Sequence, residues 1–183
     1  EDTIANEGFD RTKFMLLYHC NIGWPALDEG SELITPTRLL APRDAEAEDG
    51  LENWNRVDPP IHHYREKCYY HDMTARRDGT VTAAIVNNGF KSGNGFGVYV
   101  KYRKAELPRF VQWKQMGEQD YVMGLEPCNC GVEGRDIDEK LGLLHSLKPG
   151  ESRSTALEFG AITPKEHVAR NPGACAGVKT RLT

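Results

Sequence analysis

The first constraints on this chain come from what it lacks. No apolar run approaches the ~20 residues needed by a membrane-spanning helix, and no signal-type apolar segment opens the sequence. No basic stripe is present either. Arg76-Arg77 is the nearest approach to one, and the formal charge is −4 with a pI of about 5.9. Binding a nucleic-acid backbone takes clustered cations, so the expectation is no nucleic-acid partner and no membrane partner. Phosphate-loop, dinucleotide and Gly-x-Ser-x-Gly signatures are missing; the glycines of Gly93 to Gly97 lead into a strand pattern, not a helix.

There is no Asn-x-Ser/Thr sequon. The five cysteines, Cys20, Cys68, Cys128, Cys130 and Cys175, form no compact framework. An odd number of scattered thiols predicts reduced cysteines and a cytoplasmic location. Metal-ligand spacing is also wanting. Cys128-x-Cys130 is tighter than the usual zinc pair and lacks two further ligands at suitable spacing, while His62-His63 and His71-Asp72 belong to no HExxH-like pattern. Neither metal nor cofactor is expected.

What remains is a chain of 183 residues with 39% hydrophobic and 27% charged residues, enough for one domain with a real core. Its dominant period is two. In Phe96 to Arg103, one face reads Phe96, Val98, Val100, Tyr102 and the other carries Tyr99, Lys101 and Arg103, as a half-buried antiparallel strand requires. Lys13 to Cys20, Cys68 to Asp72, Val81 to Val86, Val111 to Gln115, Tyr121 to Glu126 and Ser154 to Ile162 extend the series. Asp78-Gly79 is a hairpin signal, and Asn87-Asn88-Gly89, Gly93-Asn94-Gly95 and Lys148-Pro149-Gly150 are further turns. Many short strands with regular turns predict an all-β sandwich or barrel. The one helix expected is Ile137 to Leu147, capped by Asp136 with Glu139 completing a capping box. Asp28 to Pro60 reads as a long functional loop carrying Arg38, Arg43 and Trp54. The division expected is a β-sandwich over 1–163 and a surface tail over 164–183.

Three segments carry candidate chemistry. On a strand, Val122, Gly124 and Glu126 share one face of Tyr121 to Pro127. Gly124 leaves room beside the Glu126 carboxylate, and Pro127 keeps Glu126 extended. A strand-end carboxylate in a partly apolar cleft is suited to proton transfer; a solvated ion pair explains the same residue equally well. His19 follows an apolar strand and precedes a turn, as a proton-transferring imidazole or as a core-edge histidine bonded to a carbonyl. Trp113-Lys114 offers an aromatic face and a cation of the kind that grips a sugar, or an ordinary edge-strand aromatic.

In order, YHCNIGWPALDEGSEL, YREKCYYHD, LPRFVQWKQMGEQDYVMGLEPCN and LHSLKPGESRSTALEFG resemble the aldose 1-epimerase (galactose mutarotase) superfamily, in particular its branch known as a domain of unknown function. The resemblance covers most of residues 13–162. It implies an antiparallel β supersandwich of which Glu1 to Thr183 is the C-terminal part. It also implies that Glu126 takes the proton from the anomeric hydroxyl and that His19 is the acid at the ring oxygen. Trp113, Lys114 and Asn129 would be substrate contacts. Asp72 or His71 would fill an intervening polar position, and Arg38 and Arg43 would reach a sugar hydroxyl or an acidic group. The histidine and arginine that the family draws from its earlier half have no matching segment here. The implied activity is interconversion of sugar anomers on a small-molecule sugar, without metal or cofactor. The competing readings are a non-catalytic carbohydrate-binding or regulatory module and a structural half-domain. Oligomeric state is open.

Overall fold

The computed structural model describes residues 1–162 and the backbone of 179–180. The expected tail therefore lies outside the described residues, apart from that short stretch. Fourteen strands are present among the described residues: β1 (Asp2–Ala5), β2 (Thr12–Phe14), β3 (Cys20–Ile22), β4 (Glu32–Ile34), β5 (Thr37–Pro42), β6 (Lys67–Met73), β7 (Thr80–Asn87), β8 (Phe96–Arg103), β9 (Arg109–Met116), β10 (Tyr121–Cys128), β11 (His145–Leu147), β12 (Ser152–Thr155), β13 (Leu157–Ile162) and β14 (Lys179–Thr180). Six of them form one sheet in the order β14-β5-β6-β9-β10-β3, and four form a second in the order β13-β8-β7-β4. Two-stranded ribbons, β1-β12 and β11-β2, flank them. Strand pairing is antiparallel except for β14 on β5.

Period-two patterning makes the two sheets pack face to face. Leu40, Tyr69, Met73, Phe110, Met116, Met123 and Leu125 project from the six-stranded sheet. Leu33, Val81, Ala83, Ile85, Val100 and Tyr102 answer from the four-stranded one, all in a single buried cluster. Tyr102 and Phe110 stack across this interface with ring centroids 6.2 Å apart and planes within 12°. The face expected of β8 is the one that is buried.

Some sequence expectations give way to the structure. Asp28 to Pro60 is not a loop: it supplies β4 to one sheet and β5 to the other, with the short helix Ala45–Asp49 after them. Its acidic composition hides strands of three and six residues. Asp78-Gly79 makes a turn but no hairpin, because β6 and β7 belong to different sheets and the chain crosses between them there. Asp78 Oδ1 accepts from the Thr80 amide at 3.0 Å, and Gly79 takes φ +81°, the left-handed conformation that favours glycine.

Lys13 to Cys20 is broken between β2 and β3, and Ser154 to Ile162 divides at Ala156, whose amide turns aside to Glu106. The helix runs over Arg135–Lys140, earlier and shorter than expected. The expected cap, Asp136, lies inside its first turn, and the cap position falls to Gly134, which has no side chain to offer; Asp138 instead accepts from the Gly131 amide at 2.8 Å. No helix among the described residues is long and apolar enough to cross a membrane.

Candidate active site

The site is built on the outer face of the six-stranded sheet. Because Met123 and Leu125 enter the core, alternation sends Gly124 and Glu126 of β10 to the opposite side. The isolated bridge Leu17–Cys128 and the pair Cys20–Leu125 bracket His19 and Glu126, which therefore face each other across adjacent segments. Asn129 fixes that approach. Its amide donates to Leu16 O at 3.0 Å, and its Oδ1 accepts from Leu16 N at 2.7 Å. The Tyr18 amide donates to Pro127 O at 3.1 Å.

His19 Nε2 consequently lies 3.0 Å from Glu126 Oε1. The approach is not aligned as a hydrogen bond, so Oε1 is a buried acceptor with no directed donor among the described residues. Glu126 has a side chain only 3% exposed, whereas that of His19 is 46% exposed. Beneath the carboxylate lies a small apolar cluster of Cys68, Val111, Cys128 and Cys130, with Met15, Leu17 and Tyr70 against it. Burial in these surroundings pushes the Glu126 carboxyl up from its ordinary 4.5 to about 7, against a smaller lowering by His19 and with a further rise from the charge of Glu66.

Trp113 of β9 lies opposite Gly124 on one side and Cys68 of β6 on the other. Its ring meets His19 edge-on at 5.4 Å between centroids. Gly124 is required by close approach. A Cβ there would sit 2.5 Å from Glu126 Oε1 and 3.2 Å from both His19 Cε1 and Trp113 Cβ. Glycine thus lets the carboxylate, imidazole and indole converge on one spot.

Other expected site residues are placed elsewhere. Lys114 follows Trp113 on the same strand and so points to the inner face. There its ammonium donates to Asp58 Oδ2 at 2.7 Å and Asn53 O at 3.0 Å, with the side chain only 2% exposed. His71 is also on the inner face, between Thr37 Oγ1 at 2.8 Å and Gln112 Oε1 at 3.2 Å. Burial drives its pKa down to about 3 and keeps it neutral. Asp72 is on the outer side of β6, two strands from β10, in ion pairs with Arg38 and Lys104. Arg38 is on the neighbouring strand β5, its side chain 68% exposed. Asp72 lines a separate cavity of about 480 Å³. Arg43 is closer to the site. Its Nη2 donates to Glu66 Oε1 at 3.1 Å, and Glu66 Oε2 accepts from the Trp113 indole at 2.6 Å.

Two neighbours escaped the sequence reading. Asn21, exposed and paired with Gly124, follows His19 by two residues on the same face; the His-x-Asn spacing on a strand was its signal. Glu66 comes just before β6, and nothing in the sequence alone marks it. Among the described residues no group of three or more His, Cys, Asp or Glu side chains could hold a metal ion, and Cys20, Cys68, Cys128 and Cys130 are free thiols.

Fold and site together define an antiparallel β-sandwich with a buried carboxylate and a half-exposed imidazole set side by side on its outer sheet face. The chain belongs to the family described as Domain of unknown function (DUF4432), whose model matches residues 1–161. Among solved structures it is similar to a putative aldose 1-epimerase from Klebsiella pneumoniae subsp. pneumoniae MGH 78578. The TM-score is 0.88 at 23% identity, over 99% of this chain and 48% of that one. It is also similar to the Slr1438 protein of Synechocystis sp. PCC 6803, with TM-score 0.56 and 18% identity over 88% of this chain and 49% of that one. The chain thus spans about half the length of these structures, and at such identities the likeness is one of fold. No curated protein matches it.

Proposed function

We propose that the site interconverts the anomers of an aldose or aldose derivative, as an aldose 1-epimerase does, with Glu126 as base and His19 as acid. The observation that carries this reading is the 3.0 Å approach of His19 Nε2 to an undonated oxygen of a buried carboxylate whose pKa is about 7. Opening a cyclic hemiacetal requires removal of a proton from the anomeric hydroxyl and delivery of one to the ring oxygen. Both oxygens are bonded to the same carbon, so a base and an acid placed side by side can serve them together.

The reactive form this chemistry requires is Glu126 as carboxylate and His19 as imidazolium. The carboxylate takes the hydroxyl proton, the C1=O double bond forms as the C1–ring oxygen bond breaks, and the imidazolium protonates the departing oxygen. The open-chain aldehyde turns about its C1–C2 bond and closes with the proton movements reversed, leaving the protein as it began. Trp113 supplies an aromatic wall for the sugar ring, and exposed Asn21 a hydroxyl contact.

Polarimetry on freshly dissolved pure anomers of a panel of aldoses tests this. The chain, or a longer form containing it, should hasten mutarotation of at least one sugar, and Glu126→Gln should remove the acceleration while leaving sugar binding largely intact. Binding without acceleration in the unsubstituted protein would favour a carbohydrate-binding module. Full activity in Glu126→Gln would dismiss Glu126 as the base.

A further inference from the structure

The geometry points to Glu66 as a positioning residue for the acid/base pair, holding the Trp113 indole against His19 and setting the field in which Glu126 ionises. This rests on the proposed role of Glu126 and His19. The chain of contacts is continuous. Glu66 Oε2 accepts from Trp113 Nε1 at 2.6 Å, a short bond of the charge-assisted kind. The held indole meets the imidazole edge-on at 5.4 Å, and its Cβ stands against Gly124, beside the carboxylate. Arg43 secures the other oxygen of Glu66 at 3.1 Å, and Arg43 is itself anchored by Asp44 at 2.8 Å and by its backbone amide on Cys68 O at 2.9 Å. Both carboxylate oxygens of Glu66 are thus engaged, one by a catalytic wall and one by a fixed cation.

A partner for the indole need not have been charged. A carbonyl or an amide oxygen would satisfy one N–H equally well. A carboxylate at this position adds a negative charge beyond the indole. The indole bond, with Arg43 after it, keeps that carboxyl ionised below its ordinary range. Like charge disfavours ionisation of Glu126, so Glu66 helps hold the base near neutrality, where a proton is both taken and returned readily. The charges acting on Glu126 are those of His19 and Glu66, and the thiols of Cys20, Cys68 and Cys128 are near enough to feel the Glu126 charge in turn. The groups facing Glu66 are Trp113, Arg43 and Asp44, with Glu133 4.0 Å from Arg43 Nε.

The test needs no substrate, which separates it from the fate of the proposed activity. NMR of the labelled full chain reads the Trp113 Nε1–H resonance and the titration of the Glu126 carboxyl carbon in the unsubstituted protein, Glu66→Gln and Glu66→Ala. Glu66→Gln keeps an acceptor but removes the charge. The indole resonance should stay protected from exchange while the Glu126 titration midpoint falls by about half a pH unit, the size expected of one partly hydrated charge nearby. Glu66→Ala should lower the midpoint similarly and also expose the indole proton. Glu66 is 44% exposed at its side chain, so both variants should fold, and native-like dispersion of the same spectra verifies it. An unmoved Glu126 midpoint in both variants overturns the inference, as does an indole proton equally protected in Glu66→Ala. If sugars are turned over, Glu66→Ala should lower kcat several-fold more than it raises KM.

Discussion

Replacing Glu126 by glutamine should stabilise the fold at alkaline pH and leave it unchanged in acid. Folding raises the Glu126 pKa from 4.5 to about 7, so the folded state holds this proton more tightly than the unfolded chain. Below pH 4.5 both states are protonated and the group's contribution is fully present. Between 4.5 and 7 the unfolded chain sheds its proton first, and stability falls as pH rises; above about 7 the loss is complete. At about 1.4 kcal/mol per pH unit the whole interval is worth at most about 3 kcal/mol. Glutamine has nearly the same shape and cannot ionise. The difference in unfolding free energy between Glu126→Gln and the unsubstituted chain should therefore grow from near zero at pH 4.5 to about 1–3 kcal/mol in favour of the variant at pH 8. Urea melts at half-unit pH steps measure it, and taking the difference cancels the other titrating groups. A constant difference across that range, or a variant less stable at pH 8 than at pH 4.5 relative to the parent, would refute the burial argument.

Other consequences are as direct. If Glu126 is the base and His19 the acid, kcat/KM for anomer interconversion should rise with pH as Glu126 ionises through about 7, fall again once the pair has lost its last proton, and lose the rising limb in Glu126→Gln. Gly124→Ala places a methyl 2.5 Å from Glu126 Oε1, so sugar binding or turnover should drop by at least about tenfold, with a stability loss of about 1–3 kcal/mol in the same urea melts. Lys114→Met severs the inner-face ties to Asp58 and Asn53 and should cost about 1–3 kcal/mol of stability, while sugar affinity by calorimetry stays at the parent value. Trp113→Ala should do the reverse in emphasis, weakening sugar affinity more than the fold.

The fold was legible wherever alternation ran long enough. The eight residues of β8 announce their buried face, and β10 places Glu126 beside Gly124 from strand phase alone. Strands of three or four residues carry no period to read, which is why β4 passed for a loop and β2, β3 and β12 were joined to their neighbours, while the six residues of β5 lack strict alternation and end in a proline. Sheet membership was illegible as well, since a two-residue turn signal at Asp78-Gly79 serves a crossing between sheets as well as a hairpin.

At the site, alternation could have been applied more strictly. Trp113 and Lys114 are adjacent on a strand, as are His71 and Asp72, so neither pair can share a face. Asn21 was within reach of the same rule. Glu66 was not, because its meaning depends on pairing Cys68 with Trp113 across two strands that lie far apart in the sequence.

The central claim is that Glu126 and His19 together move the protons of a hemiacetal. Magnetisation exchange between the anomeric protons of a responsive aldose at pH 7.5, with the parent chain and with Glu126→Gln at equal concentration, tests it most directly. Exchange well above the buffer rate with the parent and at the buffer rate with the variant is the predicted result. Exchange equally fast with both proteins would contradict the account.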